Sequence, residues 1–173
     1  MPFTEDFKTL KITHNGVQIA LRVAGSGPAL LLLHGYPQTG YMWHKIAPLL
    51  KEDFSLVIAD LRGYGDSDKP ATNADHSVYS KRAMAADMLA VMTELGHQQF
   101  FVAGHDRGGR VAHRLARDYP DAVRKLAVLE IAPTLMMYDT TDKDFATRYY
   151  HWFFLIQPAP FPETLIGHDP KFF

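Results

Sequence analysis

The 173 residues predict an α/β protein built on a mostly parallel sheet, with an N-terminal hairpin before it and the start of a helical cap after it. Three observations carry that expectation. Asn15-Gly16, a turn signal, separates two extended runs near the start. Short, wholly apolar runs then alternate with helical patterns, and Ala29–Leu33 and Ser55–Ala59 are of the kind buried on both faces. From Pro133 onward the texture shifts to aromatics, methionine and proline. That shift divides the chain into a core over 1–132 and the beginning of a cap over 133–173.

In order, Leu10–Thr13 and Val17–Val23 form the hairpin about His14-Asn15-Gly16. Gly25-Ser26-Gly27-Pro28 breaks it, and the apolar strand 29–33 comes next, ending in His34-Gly35-Tyr36-Pro37-Gln38. A helix is expected through Trp43, Ile46 and Leu49-Leu50. The strand 55–59 runs into a polar, glycine-rich loop, Asp60–Pro70. A long helix is expected from Ser80 to Leu95, with Met84, Met88, Val91 and Leu95 at helical intervals and Gly96 as its stop. Phe100–Ala103 is a further strand, succeeded by a helix from Arg110 that closes at Tyr119-Pro120; Leu126–Leu129 is the last strand. Tyr149–Phe154 is dense in aromatics, and Pro158, Pro160, Pro162 and Pro170 interrupt the remaining C-terminal segment. The chain ends at Phe172-Phe173 with no returning strand in the pattern.

Composition narrows the classes. Hydrophobic residues at 47% and charged residues at 21% suit a globular protein with a sizeable core. Eighteen basic against nineteen acidic residues leave a net charge of -1, so neither nucleic acid nor an anionic membrane surface is an expected partner. No cysteine is present, which excludes disulfides and thiolate chemistry and fits a cytoplasmic protein. The start, Met1-Pro2-Phe3-Thr4-Glu5-Asp6, has no basic and apolar pattern of a signal peptide. No histidine pair has zinc spacing, so no metal and no cofactor are expected. An exposed sheet edge would favour association, with a homodimer as the candidate.

The chemistry centres on Gly104-His105-Asp106-Arg107-Gly108-Gly109-Arg110. A strand before it, glycines on either side of one polar residue and a helix after it make the layout of a nucleophile elbow. Gly104 and Gly108 remove side chains that would collide as the two elements close. The residue presented is Asp106, where that pattern commonly has serine. A carboxylate displaces a leaving group from saturated carbon and forms an ester that water must then open. Arg107 and Arg110 add permanent cations, suited to a small anionic substrate. Aspartate is also a good helix N-cap, so a purely structural reading of Asp106 stands beside this one. The agreement of strand, glycines and helix favours the elbow. In open α/β sheets ligands bind beyond the carboxyl ends of strands, where His34, Asp106 and Glu130 all fall.

Five stretches resemble the α/β-hydrolase superfamily and, within it, the fluoroacetate (haloacetate) dehalogenases: HGYPQ at 34–38, DLRGYGDSDKP at 60–70, GHDRGGR at 104–110, VLEIAP at 128–133 and YHWFFLIQPAPFPETLIG at 150–167. The first two are common to many α/β hydrolases; the arginine pair with His151-Trp152 is more specific. The resemblance implies an α/β-hydrolase fold and hydrolytic dehalogenation of a short haloacid, fluoroacetate foremost. It implies Asp106 as nucleophile, Arg107 and Arg110 on the substrate carboxylate, and His151 and Trp152 on the departing halide. The backbone N–H groups of Tyr36 and Arg107 would form the oxyanion hole. Glu130 stands where the family usually has the aspartate that orients its catalytic histidine. His34, His105 and the Asp60–Gly63 stretch read as structural. The resemblance covers nearly the whole chain but only the N-terminal part of the family's length, so the chain looks truncated. The rest of the cap, the last strands, a halide-binding tyrosine and the catalytic histidine have no counterpart in it. Turnover by these residues alone is therefore not expected. Epoxide hydrolase and haloalkane dehalogenase are alternatives within the fold, and a non-catalytic truncated relative is the alternative outside enzymes.

Overall fold

A computed structural model describes Phe3 and residues 6–172. Most of the N-terminal stretch read for a targeting signal, and the terminal Phe173, lie outside the described residues. The chain forms two compact units, Met1–Ile131 and Ala132–Phe173.

The first unit is a six-stranded sheet with helices on both faces. The strands are β1 (Lys8–His14), β2 (Val17–Ala24), β3 (Ala29–Leu33), β4 (Ser55–Ala59), β5 (Phe100–His105) and β6 (Val123–Leu129), in spatial order β1-β2-β4-β3-β5-β6. The β1–β2 hairpin is antiparallel, β2 meets β4 antiparallel, and β4, β3, β5 and β6 run parallel. Asn15 and Gly16 both take positive φ, 48° and 78°, which the two-residue hairpin turn demands.

Burial on both faces explains the unbroken apolar runs. Leu31, Leu33, Val57 and Ala59 enter one core, with α2 (Lys81–Glu94) and α3 (Arg107–Asp118) over it. The alternate residues Leu30, Leu32, Leu56 and Ile58 enter the other, with Trp43 and Ala47. Successive side chains of a strand point to opposite faces, so a strand between two helical layers is apolar throughout. At β6 the pattern differs: Leu126, Val128 and Leu129 are exposed, and among the described residues β6 pairs only with β5.

One expectation is corrected. The segment through Trp43 and Leu50 is not one helix. It is a 3-10 turn, Gly40–Lys45, and then a single α-helical turn, α1 (Ala47–Leu50). Pro48, in the first turn of α1, has no N–H to donate back into the preceding turn, so the helix restarts there instead of running through. The elbow strand and last strand are each longer than their apolar runs, ending at His105 and starting at Val123.

The loop after β4 is held from several sides. Asp60, 2% exposed, accepts the Gly40 N–H at 2.6 Å and the Asp66 N–H at 3.0 Å. Ser67 Oγ donates to the Asp60 carbonyl at 2.6 Å and accepts the Ala20 N–H at 2.8 Å. Arg62 reaches Asp87 of α2 with two bonds of 2.6 Å, and His14 Nδ1 lies 3.0 Å from the same carboxylate. That buried cluster ties hairpin, loop and α2 together.

The second unit consists of short helices: α4 (Thr134–Asp139), α5 (Lys143–Arg148), α6 (Tyr150–Phe154) and α7 (Phe161–His168). Its interior is aromatic, with Tyr138 5.6 Å from Trp152 and 5.9 Å from Phe153 between ring centroids. Among the described residues no helix is long and apolar enough to cross a membrane.

Candidate active site

The chain turns from β5 into α3 at Asp106, with φ 49° and ψ −118°. A non-glycine residue at positive φ is strained by roughly 1–3 kcal/mol, a conformation that persists only where its surroundings impose it. Close packing imposes it here. A methyl group on Gly108 would fall 2.6 Å from the Leu33 carbonyl oxygen, and one on Gly104 would fall 2.6 Å from the Gly109 nitrogen. The start of α3 therefore rests directly on β3 and β5, which only glycine permits.

The structure separates the two readings of Asp106. Its side chain makes no capping bond to α3. Oδ1 instead accepts the backbone N–H of Tyr36, at 2.9 Å, from the loop after β3. One carboxylate oxygen is thus held by a bond from another loop, and the other takes no part in that bond. Arg107 is the first residue of α3, so its own N–H is one of those with no acceptor within the helix. The Arg107 guanidinium stands 4.9 Å over the Tyr36 ring, an arrangement that fixes the side chain against the loop after β3. Arg110 lies one turn later, half-buried on the same helix.

His34 supports the loops rather than the chemistry. It is fully buried, with Nδ1 2.9 Å from the Gly35 carbonyl and Nε2 accepting the Leu61 N–H at 3.0 Å. That pattern requires the neutral ring with the proton on Nδ1. Burial lowers its pKa, opposed by the Gly35 hydrogen bond and the Asp60 charge. His105 keeps Nδ1 buried with no hydrogen-bond partner among the described residues. Glu130 lies just past β6, exposed, at φ 53°. His151 and Trp152 are on α6 of the second unit, and His151 meets Tyr149 and Tyr150 at 6.1 and 6.0 Å between ring centroids.

Two residues near the elbow are not singled out by the sequence pattern. Tyr64 packs edge-on to His34 with ring centroids 5.0 Å apart. Burial raises its phenol pKa, with the Arg107 guanidinium pulling the other way. Lys81, the first residue of α2, has its pKa lowered to about 8, first by burial, then by the charges of Arg107 and Arg110; the Asp106 carboxylate opposes them. Glycines on both sides of Tyr64 hint at a tight, functional loop. Nothing in the pattern marks Lys81, which reads as an ordinary helix-surface lysine.

Within the first unit the sheet therefore gathers Asp106, Tyr36, Arg107 and Tyr64 near the carboxyl ends of β3 and β5, with Arg110 one turn further along α3. Comparison with known proteins agrees with that layout. The chain is 52% identical over 169 residues to a fluoroacetate dehalogenase of a Burkholderia species, covering 98% of this chain and 56% of that protein. It is 43% identical over 131 residues to a soluble epoxide hydrolase of a Corynebacterium species, covering 73% of this chain and 44% of the relative. A crystal structure from Nostoc sp PCC 7120, described as a candidate α/β hydrolase, superposes with a TM-score of 0.94 at 60% identity, covering 96% of this chain and 57% of that one. The chain thus spans little more than half the length of the first of these relatives. Residues 28–173 match the family defined by the α/β hydrolase fold, and with the elbow turn, the parallel sheet and these relatives in agreement, the chain belongs to the α/β-hydrolase family.

Proposed function

We propose that the protein is a hydrolase that removes halide from a short haloacid, with fluoroacetate as the leading substrate. The observation that supports it best is the Asp106 carboxylate, held by the Tyr36 N–H at 2.9 Å and flanked by Arg107. In this reading Arg107 and Arg110 bind the substrate carboxylate, since a guanidinium matches a carboxylate with two parallel bonds. The free oxygen of Asp106 attacks the carbon bearing the halogen. A carbon–oxygen bond forms, the carbon–halogen bond breaks, and halide leaves with its electron pair. Oδ1 becomes the carbonyl oxygen of the resulting ester, already against the Tyr36 N–H. Water then attacks that carbonyl, the negative charge is stabilised by the N–H groups of Tyr36 and Arg107, and hydroxyacid departs. By resemblance alone, His151 and Trp152 take the halide and Glu130 orients a general base.

The similarity to an epoxide hydrolase supports a second reading. The same carboxylate would open an epoxide to a hydroxyalkyl ester. A neutral epoxide leaves Arg107 and Arg110 without a task, so the haloacid reading is preferred.

Peptide mass spectrometry after exposure to chloroacetate, in water enriched in oxygen-18, tests the proposal. A carboxymethyl ester on Asp106 is expected or, where water opens it, oxygen-18 in that carboxylate. Neither label in a folded chain would sink the haloacid reading, and labelling by an epoxide alone would install the second.

A further inference from the structure

The Tyr36 N–H that holds Asp106 belongs to the same peptide group as the Gly35 carbonyl, and a peptide group is planar. Whatever fixes the direction of that carbonyl therefore fixes the direction of the N–H. Two donors hold it: the ring Nδ1–H of His34 at 2.9 Å and the Gln38 N–H at 3.0 Å. The His34 ring is seated in turn by the Leu61 N–H, which donates to Nε2 at 3.0 Å, and by Tyr64, edge-on with ring centroids 5.0 Å apart. Tyr64 is itself locked by its loop. Its N–H donates to the Leu61 carbonyl at 2.9 Å, and its carbonyl accepts the Ser67 N–H at 3.1 Å. Gly63 and Gly65 on either side take φ of 87° and 49°, a region that glycine enters without strain. The loop thus delivers one half-buried aromatic ring to one place, against a fully buried histidine.

Resting on the nucleophilic role proposed for Asp106, we propose that Tyr64 is a positioning residue. Its ring keeps His34 dry and in place, and through His34 and the Gly35–Tyr36 peptide it aims the Tyr36 N–H at the carboxylate. The arrangement works only with a neutral imidazole. Nε2 accepts the Leu61 N–H, and a proton on Nε2 would set two donors face to face. Burial disfavours that proton, opposed by the Gly35 hydrogen bond and the Asp60 charge. The groups that face His34 are the Asp60 carboxylate just past β4 and the Tyr64 ring in the loop after it, while α3 meets it at Gly108, which brings no charge. Removing the Tyr64 ring admits water, and His34 then titrates near the ordinary histidine value of about 6.5. Below that value the imidazole is charged, the Leu61 bond is lost and the Tyr36 N–H is no longer held on line.

The test is the rate at which chloroacetate labels Asp106, followed by peptide mass spectrometry from about pH 8 to about pH 5.5, a range that spans an ordinary histidine. Tyr64→Leu should label more slowly at the alkaline end, on the order of tenfold, the scale of a small misplacement of a reacting group. Its rate should fall further as pH drops through about 6.5. Tyr64→Phe keeps the ring and should restore both the rate and the flat profile of the unsubstituted chain. Proton NMR of the His34 ring in the unsubstituted chain adds a reading that no misfolded variant can spoil, and its signals should stay constant across the same range. A Tyr64→Leu chain with the rate and profile of the unsubstituted one would overturn this inference, and so would a His34 ring that titrates near 6.5 with Tyr64 in place. Tyr64→Phe as slow as Tyr64→Leu would overturn it as well, because the hydroxyl and not the ring would then matter. No labelling of Asp106 in the folded, unsubstituted chain would instead overturn the nucleophile reading, and this inference with it.

Discussion

The backbone N–H of Tyr36 donates to Oδ1 of Asp106 at 2.9 Å, joining two loops seventy residues apart in sequence. The bond exists because β3 and β5 are parallel neighbours, so the loops leaving their carboxyl ends meet. It holds one oxygen of the carboxylate, so in the proposed reaction the other is the one that attacks.

The glycine before Tyr36 makes that geometry possible. A methyl on Gly35 would lie 2.7 Å from Asp106 Oδ1, well inside van der Waals contact. Gly35→Ala should therefore push the carboxylate off the Tyr36 N–H. A displacement of about 1 Å at a reacting group can lower a rate on the order of a hundredfold. The rate of Asp106 labelling by chloroacetate measures it. A labelling rate equal to that of the unsubstituted chain would show that the Tyr36 bond has no part in placing the nucleophile.

For the arginines, the expected consequence falls on binding. Arg110 is half-buried on α3, one turn past Arg107. Arg110→Leu should weaken fluoroacetate binding by roughly tenfold to a hundredfold, the equivalent of a charged hydrogen bond of ~1.5–3 kcal/mol. Thermal melting should change little. Titration calorimetry beside a melting curve separates the two effects, and unchanged affinity in a folded variant would remove Arg110 from the site.

How much of the fold and site is legible in the sequence depends on the range of the interaction. β3 and β4 are readable because burial on both faces leaves no polar position. The elbow is readable because its glycines answer to contacts made within a few residues or with the adjoining strand. The helical signal through Trp43 and Leu50 misleads, because Pro48 interrupts backbone pairing without changing the apolar pattern. The Tyr36–Asp106 bond and the Arg62–Asp87–His14 cluster depend on strand order, which residue spacing does not encode. Lys81 is invisible for a further reason: its environment is built by α3, and its own helix pattern is unremarkable.

The Asp87 cluster should dominate the stability of the first unit. Asp87 is fully buried, and Arg62, 7% exposed, gives it both of its short bonds and a third to the Val78 carbonyl at 2.8 Å. Asp87→Ala strands a buried guanidinium, and breaking such a pair from one side costs about 3–5 kcal/mol. Replacing Arg62 and Asp87 together by methionine and leucine should recover part of that loss, since no buried charge is then left alone. Urea unfolding of the single and double variants provides the comparison. A loss under about 1 kcal/mol for Asp87→Ala would mean that water reaches the site and solvates Arg62.

Lys81 carries a cost in the empty protein that has a definite sign with pH. Its folded-state pKa is lowered to about 8 from 10.5, so between those values the unfolded chain holds a proton that the folded one does not. Stability rises with pH wherever the unfolded state binds more protons. Below about 8 both states are protonated and the full penalty of the crowded ammonium is present; above it the penalty shrinks, and it is gone near 10.5. Lys81→Met deletes the charge and leaves an apolar chain beside Met84. The variant should therefore melt above the unsubstituted chain at neutral pH, with the gap closing as pH climbs from about 8 toward 10.5. Melting curves across that pH range measure the gap. A gap of constant size, or a variant less stable at neutral pH, would mean that the Lys81 ammonium is well solvated and does not feel the arginines.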